Sequence, residues 1–331
     1  VRYVCGFRSS NAFLLVSRGE NLLLTDFRYQ QSAQRFRAKA RAWKPVLLGE
    51  STYATLAELI PPGSSLGIQS ESMTVDTLDR LKRKLRRVKT VKLGSAVSAL
   101  SEPKTDAEVA RMRRSARIGS RALSRTLSEL RVGSTEKETA ALLEGHCRAL
   151  GSEGPAFETI VLFGARSALP HGTPSNARLK KGDWILFDFG CTVEGFCSDM
   201  TRTMVAGTAS PWQRDIYNIV RTAQHDARVN IRGGLKGSAA DAPARETIEK
   251  AGFGDYFGHA TGHGVGLRIH EGPRVSRTNH APLPPGAVVT VEPGIYIPRR
   301  GGVRIEDMVR LRPRGNDLLT HFPRHLIEVD L

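Results

Sequence analysis

Asp188 stands inside an apolar run, Ile185-Leu186-Phe187-Asp188-Phe189-Gly190, and Asp199 follows eleven residues later in Cys197-Ser198-Asp199-Met200-Thr201-Arg202. Burying a carboxylate in such a strand costs several kcal/mol unless it is paired or bound to a metal. The segment between them, Thr192-Val193-Glu194-Gly195, reads as a hairpin turn. A hairpin sets the two carboxylates side by side on adjacent strands. Charges of one sign so placed repel, and a divalent cation relieves the repulsion. A hydrogen-bonded structural pair is the alternative that these two residues alone leave open.

Residues further along the chain shift that balance. Gly258-His259-Ala260-Thr261-Gly262-His263-Gly264-Val265-Gly266 is glycine-rich, which lets its backbone approach a site closely. His270 follows in His270-Glu271-Gly272-Pro273. Glu292 ends the apolar run Val288–Val291, and Glu306 lies in Val303-Arg304-Ile305-Glu306-Asp307. Asp188, Asp199, His263, Glu292 and Glu306 are all hard oxygen or nitrogen donors without a thiolate. Such a set suits Mn²⁺, Co²⁺, Fe²⁺ or Zn²⁺. Five ligands exceed what one open metal site uses, and two metals about 3.5–4 Å apart fit them better.

The surrounding pattern is α/β (α+β). At about 150 residues per domain, 331 residues predict two domains. Short apolar runs at Tyr3–Cys5, Ala12–Val16, Asn21–Thr25, Val46–Leu48 and Leu66–Ile68 read as strands. Leu78, Leu81, Leu85 and Val88 mark an amphipathic helix with Asp76 as its N-cap. Ser101-Glu102-Pro103-Lys104 reads as a linker. Thr105 with Glu108, and Thr135 with Glu138, are capping boxes that open helices ending near Leu130 and Gly151. Strand-like segments follow at 159–163, 184–189 and 197–205. Ser210-Pro211 then starts a helix to about Ile231, and another covers about 239–250. Strands return at 287–291, 303–311 and 328–331.

The formal charge is +16. Residues 1–131 hold 25 of the 49 basic side chains and only 11 of the 33 acidic ones, so the excess is N-terminal. A basic face raises a nucleic-acid reading. The cationic residues of 80–92 instead form the outer face of one amphipathic helix, and no basic–aromatic interleaving accompanies them. No apolar run approaches the ~18–20 residues that span a membrane, and the start lacks the pattern of a signal peptide. Cys5, Cys147, Cys191 and Cys197 are too sparse for a disulfide scaffold and point to free thiols in the cytoplasm.

At these motifs the sequence resembles metallopeptidase family M24, and within it the Xaa-Pro peptidases, aminopeptidase P and prolidase. The segments Val1–Phe7, Leu24–Tyr29 and Ser167–Ser175, with the five ligands in order, carry the resemblance over nearly the whole chain. It implies a small creatinase-like α/β domain over 1–103 and a catalytic pita-bread domain over 104–331 with pseudo-twofold helix/strand halves. The family has a further helix and strand before the segment matching Val1–Phe7, so native residues are expected before Val1.

Carried over by position, the resemblance makes Asp188 a chelator of one metal and Asp199 and Glu306 bridges of both. His263 and Glu292 complete the other metal. His171 becomes a substrate-side histidine, His259 and His270 contact substrate and intermediate, and Arg304 and Tyr296 brace the site. The implied reaction is hydrolysis between an N-terminal residue and proline by a metal-bridging hydroxide, with Glu292 or another cluster carboxylate shuttling the proton. The implied setting is a cytoplasmic homodimer, with manganese the first expectation and cobalt, zinc or iron next. Rival readings are a methionine-aminopeptidase-like enzyme and a non-catalytic relative that binds nucleic acid or protein. The Glu292-Pro293-Gly294-Ile295-Tyr296 segment, Arg304 and the extra N-terminal domain favour the X-Pro group.

Overall fold

Leu22, Leu23 and Leu24, all buried, form the middle of the first sheet along the chain. The computed structural model describes residues 1–331 and divides into two units, Val1–Val97 and Ser98–Leu331. In the first unit α1 (Arg2–Cys5) precedes β1 (Ala12–Val16), β2 (Asn21–Thr25), α2 (Gln30–Lys39) and β3 (Lys44–Leu47). β1 lies antiparallel to β2, and β3 joins β2 in parallel. Then come α3 (Thr52–Leu59), β4 (Ser65–Ile68), α4 (Val75–Lys84) and β5 (Lys89–Lys92), with β4 and β5 parallel.

Two sequence expectations change here. Tyr3–Cys5 is helical, not a strand, because Gly6 at φ 81° closes a single turn in the left-handed conformation that glycine adopts freely. Helix α4 starts one residue before Asp76, and its cap is Thr74, whose hydroxyl accepts from the Thr77 N–H.

After α5 (Ala96–Ser101), the expected linker is anchored: the buried Lys104 Nζ lies 2.6 Å from Glu271 Oε1. Both capping boxes are present, opening α6 (Asp106–Glu129) and α7 (Glu136–Ala149). An N-cap of this kind contributes about 1 kcal/mol. Next come β6 (Ile160–Phe163), β7 (Trp184–Phe189), the short hairpin β8 (Thr192–Val193) and β9 (Phe196–Cys197), and β10 (Met200–Ala206). The hairpin turns on Glu194 and Gly195, both at positive φ (47° and 79°), the signature of a two-residue type I′ turn.

The order of helices, then strands, occurs again. Ser210 caps α8 (Pro211–Asn230), and α9 (Gly237–Lys250) follows. Then come β11 (Gly262–Gly264), β12 (Glu271–Val275), β13 (Val288–Val291), β14 (Gly294–Ile297), β15 (Gly301–Arg304), β16 (Asp307–Leu311), β17 (Asn316–Leu318) and β18 (Glu328–Val329). One sheet runs β18-β10-β7-β6, and the other runs β12-β11-β13-β16-β17. Ile118, Leu123 and Leu143 of α6 and α7 pack with Val161, Phe187 and Met204 of the first sheet. Ile216, Val220, Ala244 and Ile248 of α8 and α9 pack with Val289, Val291 and Val309 of the second. Each of these side chains larger than alanine contributes about 1.5–3 kcal/mol when fully buried.

The strand expected over 303–311 is interrupted. It divides into β15, paired with β14, and β16, paired with β13. Ile305 and Glu306 lie at the break, so the chain leaves one sheet and enters another at a candidate ligand.

Candidate functional site

Each candidate ligand occupies a strand or a strand end. Asp188 is the penultimate residue of β7 and pairs across the sheet with Thr201 of β10. Asp199 precedes β10, His263 is the centre of β11, Glu292 follows β13, and Glu306 joins β15 to β16. Glycine flanks His263 for a steric reason. A Cβ at Gly262 would collide with the Thr290 carbonyl, and one at Gly264 with the Gly272 carbonyl.

Asp199, His263 and Glu306 each offer a ligand atom within 4.8 Å of the other two. His263 Nε2 lies 3.6 Å from Asp199 Oδ2 and 3.4 Å from Glu292 Oε1. Its Nδ1 faces the Gly264 carbonyl at 3.0 Å, and a carbonyl only accepts. The proton therefore sits on Nδ1, and the Nε2 lone pair points toward the carboxylates.

The carboxylates are costly neighbours. Burial, and then the charges of Glu306, Asp188 and Glu292, push the Asp199 carboxyl well above its ordinary range. Burial, and then Glu292 and Asp188, do the same to Glu306. Glu292 is pushed up to about 7, chiefly by burial, with Asp188 adding to it against the opposing pull of Arg304. Burial also lowers the proton affinity of His263. Four acids and a neutral imidazole with its lone pair inward form a donor set that divalent cations satisfy.

Two threonines order the ligands. Thr201 Oγ1 donates to Glu306 Oε2 at 2.7 Å and accepts from Arg304 Nε at 3.0 Å. Thr290 Oγ1 donates to Glu292 Oε1 at 3.1 Å and accepts from the His263 N–H at 3.1 Å. Neither was among the sequence candidates. A period of two was the available signal: Thr201 lies two residues after Asp199 and Thr290 two before Glu292, so each pair shares a strand face.

Arg304, 3% exposed, reaches Asp188 Oδ2 with Nη2 at 2.5 Å and the Tyr296 hydroxyl with Nη1 at 2.8 Å. His259 donates from Nδ1 to the Ala260 carbonyl, so its Nε2 accepts from the Tyr296 hydroxyl at 2.9 Å. Burial holds the His259 imidazole down to about 4. The buried Asp241–Arg245 pair on α9, another feature absent from the sequence reading, supports this side. Asp241 accepts from Thr261, and Arg245 donates to the His259 carbonyl.

His270 is exposed and sets its ring edge-to-face on His263, with centroids 4.4 Å apart. His171 is exposed in the turn after Pro170. All ten sequence-derived candidates thus converge on one region of the second unit.

Residues 110–313 match the model of metallopeptidase family M24, and residues 1–100 match the creatinase/prolidase N-terminal domain. This chain belongs to metallopeptidase family M24. Among M24 relatives, the uncharacterized peptidase YqhT of Bacillus subtilis is 37% identical over 99% of this chain and 92% of its own length. The structure of an Xaa-Pro dipeptidase from Bacillus anthracis superposes with TM-score 0.94 at 37% identity, covering 98% of this chain and 91% of that one. That of an X-Pro aminopeptidase from Thermotoga maritima gives 0.91 at 36% identity, covering 99% and 93%. The M24 chain therefore has the creatinase-type N-terminal domain and pita-bread domain expected from its motifs. It is a metal-dependent peptidase by family, and no helix is long and apolar enough to cross a membrane.

Proposed function

We propose that this enzyme is an Xaa-Pro peptidase that releases the N-terminal residue before a proline. The observation that carries the reading is the convergence of Asp188, Asp199, His263, Glu292 and Glu306 beside the Arg304–Tyr296–His259 chain. Similarity to an Xaa-Pro dipeptidase and an X-Pro aminopeptidase across almost the full chain supports the substrate class. The match of residues 1–100 to a creatinase/prolidase N-terminal domain favours it over a methionine-aminopeptidase-like reading.

The five ligand residues would hold two divalent cations. When bound, the cations supply Lewis acidity and make a water acidic enough to ionise near neutral pH. Asp188 and Asp199 would hold the cations from the side of β7 and β10, His263 and Glu292 from the side of β11 and β13, and Glu306 from the junction of β15 and β16. Arg304 fixes the Asp188 carboxylate, while Thr201 and Thr290 fix Glu306 and Glu292.

An X-Pro bond has a tertiary amide nitrogen, so the departing proline must receive a proton to leave as a secondary amine. Glu292 or another carboxylate of the cluster is the assigned carrier. His270 is the imidazole assigned to the developing oxyanion, since His259 Nε2 is engaged by Tyr296. His171 is assigned to the substrate.

Manganese is the proposed metal, on the oxygen-rich donor set. A cytoplasmic homodimer is the proposed setting, and the four free cysteines accord with a reducing compartment. An assay with added Mn²⁺ comparing an X-Pro dipeptide with X-Pro-Y-Z tests the function. Cleavage of the dipeptide alone selects prolidase, cleavage of the longer peptide selects aminopeptidase P, and cleavage of neither overturns the substrate class.

A further inference from the structure

On α8 the residues Arg221, Gln224, His225 and Arg228 recur at spacings of three, one and three, which places them on one helix face. With Arg324 and His325 they line an open cavity of about 360 Å³. It lies within the second unit and shares no residue with the proposed metal centre. The volume falls in the lower part of the range of small-ligand sites, about 300–1,000 Å³.

The cavity wall is held in place. Tyr217 donates its hydroxyl hydrogen to the carbonyls of Arg324 and His325, both at 3.2 Å. Asn316 Nδ2 donates to the carbonyls of Arg228 and Ile231, fixing the last turn of α8. Gln224 Nε2 and Arg324 Nη1 both donate to Asp307 Oδ2, at 2.9 and 3.1 Å.

The charge of this wall is unbalanced. Arg221, Arg228 and Arg324 line the cavity, and of the three only Arg324 donates to a carboxylate, that of Asp307. Asp307 is already shared, since Arg202 Nη2 holds its other oxygen at 2.7 Å. Asp226, on the same helix, is turned to Thr247 of α9. Arg228 Nε is enclosed and has no hydrogen-bond partner, and Arg228 Nη2 lies 3.4 Å from His225 Nδ1. Burial and the nearby Arg324 charge both disfavour the Arg228 cation. A buried donor left without an acceptor is costly, and an anion seated here supplies one.

We infer that this cavity binds the phosphate group of a small phosphomonoester, gripped by Arg221, Arg228 and Arg324. Guanidinium forks match phosphate oxygens in pairs, and the volume leaves room for a small organic group beyond the phosphate.

Calorimetric titration of the Mn²⁺-loaded enzyme with phenyl phosphate, and separately with inorganic phosphate, tests the assignment. Saturable binding is expected in the wild type, weakened at least tenfold in Arg228→Gln and at least threefold in the exposed-site variant Arg221→Gln. Tighter binding of phenyl phosphate identifies an ester site, and equal binding identifies a site for free phosphate. Peptidase activity of Arg221→Gln should match wild type. No saturable binding, or equal binding by wild type and Arg221→Gln, overturns the proposal, because the anion is then at the metal centre or nowhere. If Arg228→Gln does not fold, Arg221→Gln decides alone.

Discussion

Arg304 Nη2 meets Asp188 Oδ2 at 2.5 Å, so a guanidinium on β15 holds a candidate ligand on β7. Removing one partner of a buried ion pair costs about 3–5 kcal/mol. Arg304→Gln is therefore expected to lower unfolding free energy by about 3 kcal/mol or more. It should also weaken metal affinity about 10–100-fold, as loss of a group that orients a ligand does. Urea unfolding and metal titration read the two effects separately.

Thr290→Val keeps the side-chain shape and removes the hydroxyl between His263 and Glu292. The His263 N–H then loses its acceptor, at a cost of about 1–3 kcal/mol. Metal affinity should drop, and kcat/KM measured at limiting Mn²⁺ should drop with it. Unchanged affinity would remove Thr290 from the centre.

Without metal, Glu292 is a carboxyl whose folded pKa is raised from 4.5 to about 7. A raised acid binds its proton more tightly in the folded state, so its ionisation destabilises the fold as pH rises from about 4.5 to 7. Metal-free Glu292→Gln should therefore be more stable than metal-free wild type at pH 8, by up to about 3 kcal/mol. The gap should close below about pH 5. Thermal melts of the chelator-treated pair give the difference and cancel the opposing contribution of His259, which is common to both proteins.

His171 is exposed, so His171→Ala should leave the melting temperature unchanged. On X-Pro peptides kcat/KM should fall at least tenfold, in line with loss of one positioned catalytic or binding group. Unchanged kinetics would withdraw its assignment to the substrate.

Chelation should abolish activity and lower the melting temperature. A ligand at a thousand times its Kd stabilises by about 4 kcal/mol. Restoration of both by Mn²⁺ is the expected outcome, and a melting temperature indifferent to chelator would count against cations bound between the strands.

The parts of the fold that were legible are those where local chemistry decides. Thr105 and Thr135 cap their helices as their spacing to Glu108 and Glu138 predicts. Glu194-Gly195 turns the hairpin that places Asp188 and Asp199 near each other. Asp188 and Glu292 were visible because a lone acid in an apolar run conflicts with burial. The Arg2–Cys5 helix was not legible, because three apolar residues carry no period and the helix is a single turn closed at Gly6. The break at Ile305–Glu306 was not legible, since a sheet change is a tertiary event that leaves alternation intact on both sides. Thr201 and Thr290 resemble ordinary strand residues until their partners across the site are known.

The sheet that furnishes Asp188 packs mainly on α6 and α7 and the sheet that furnishes His263 on α8 and α9, yet Trp184 and Val205 of the former reach into the core of the latter. A cation held between Asp188 or Asp199 and His263 or Glu292 would therefore be a reversible cross-link between two layers that are already joined. Metal would tighten that joint rather than create it.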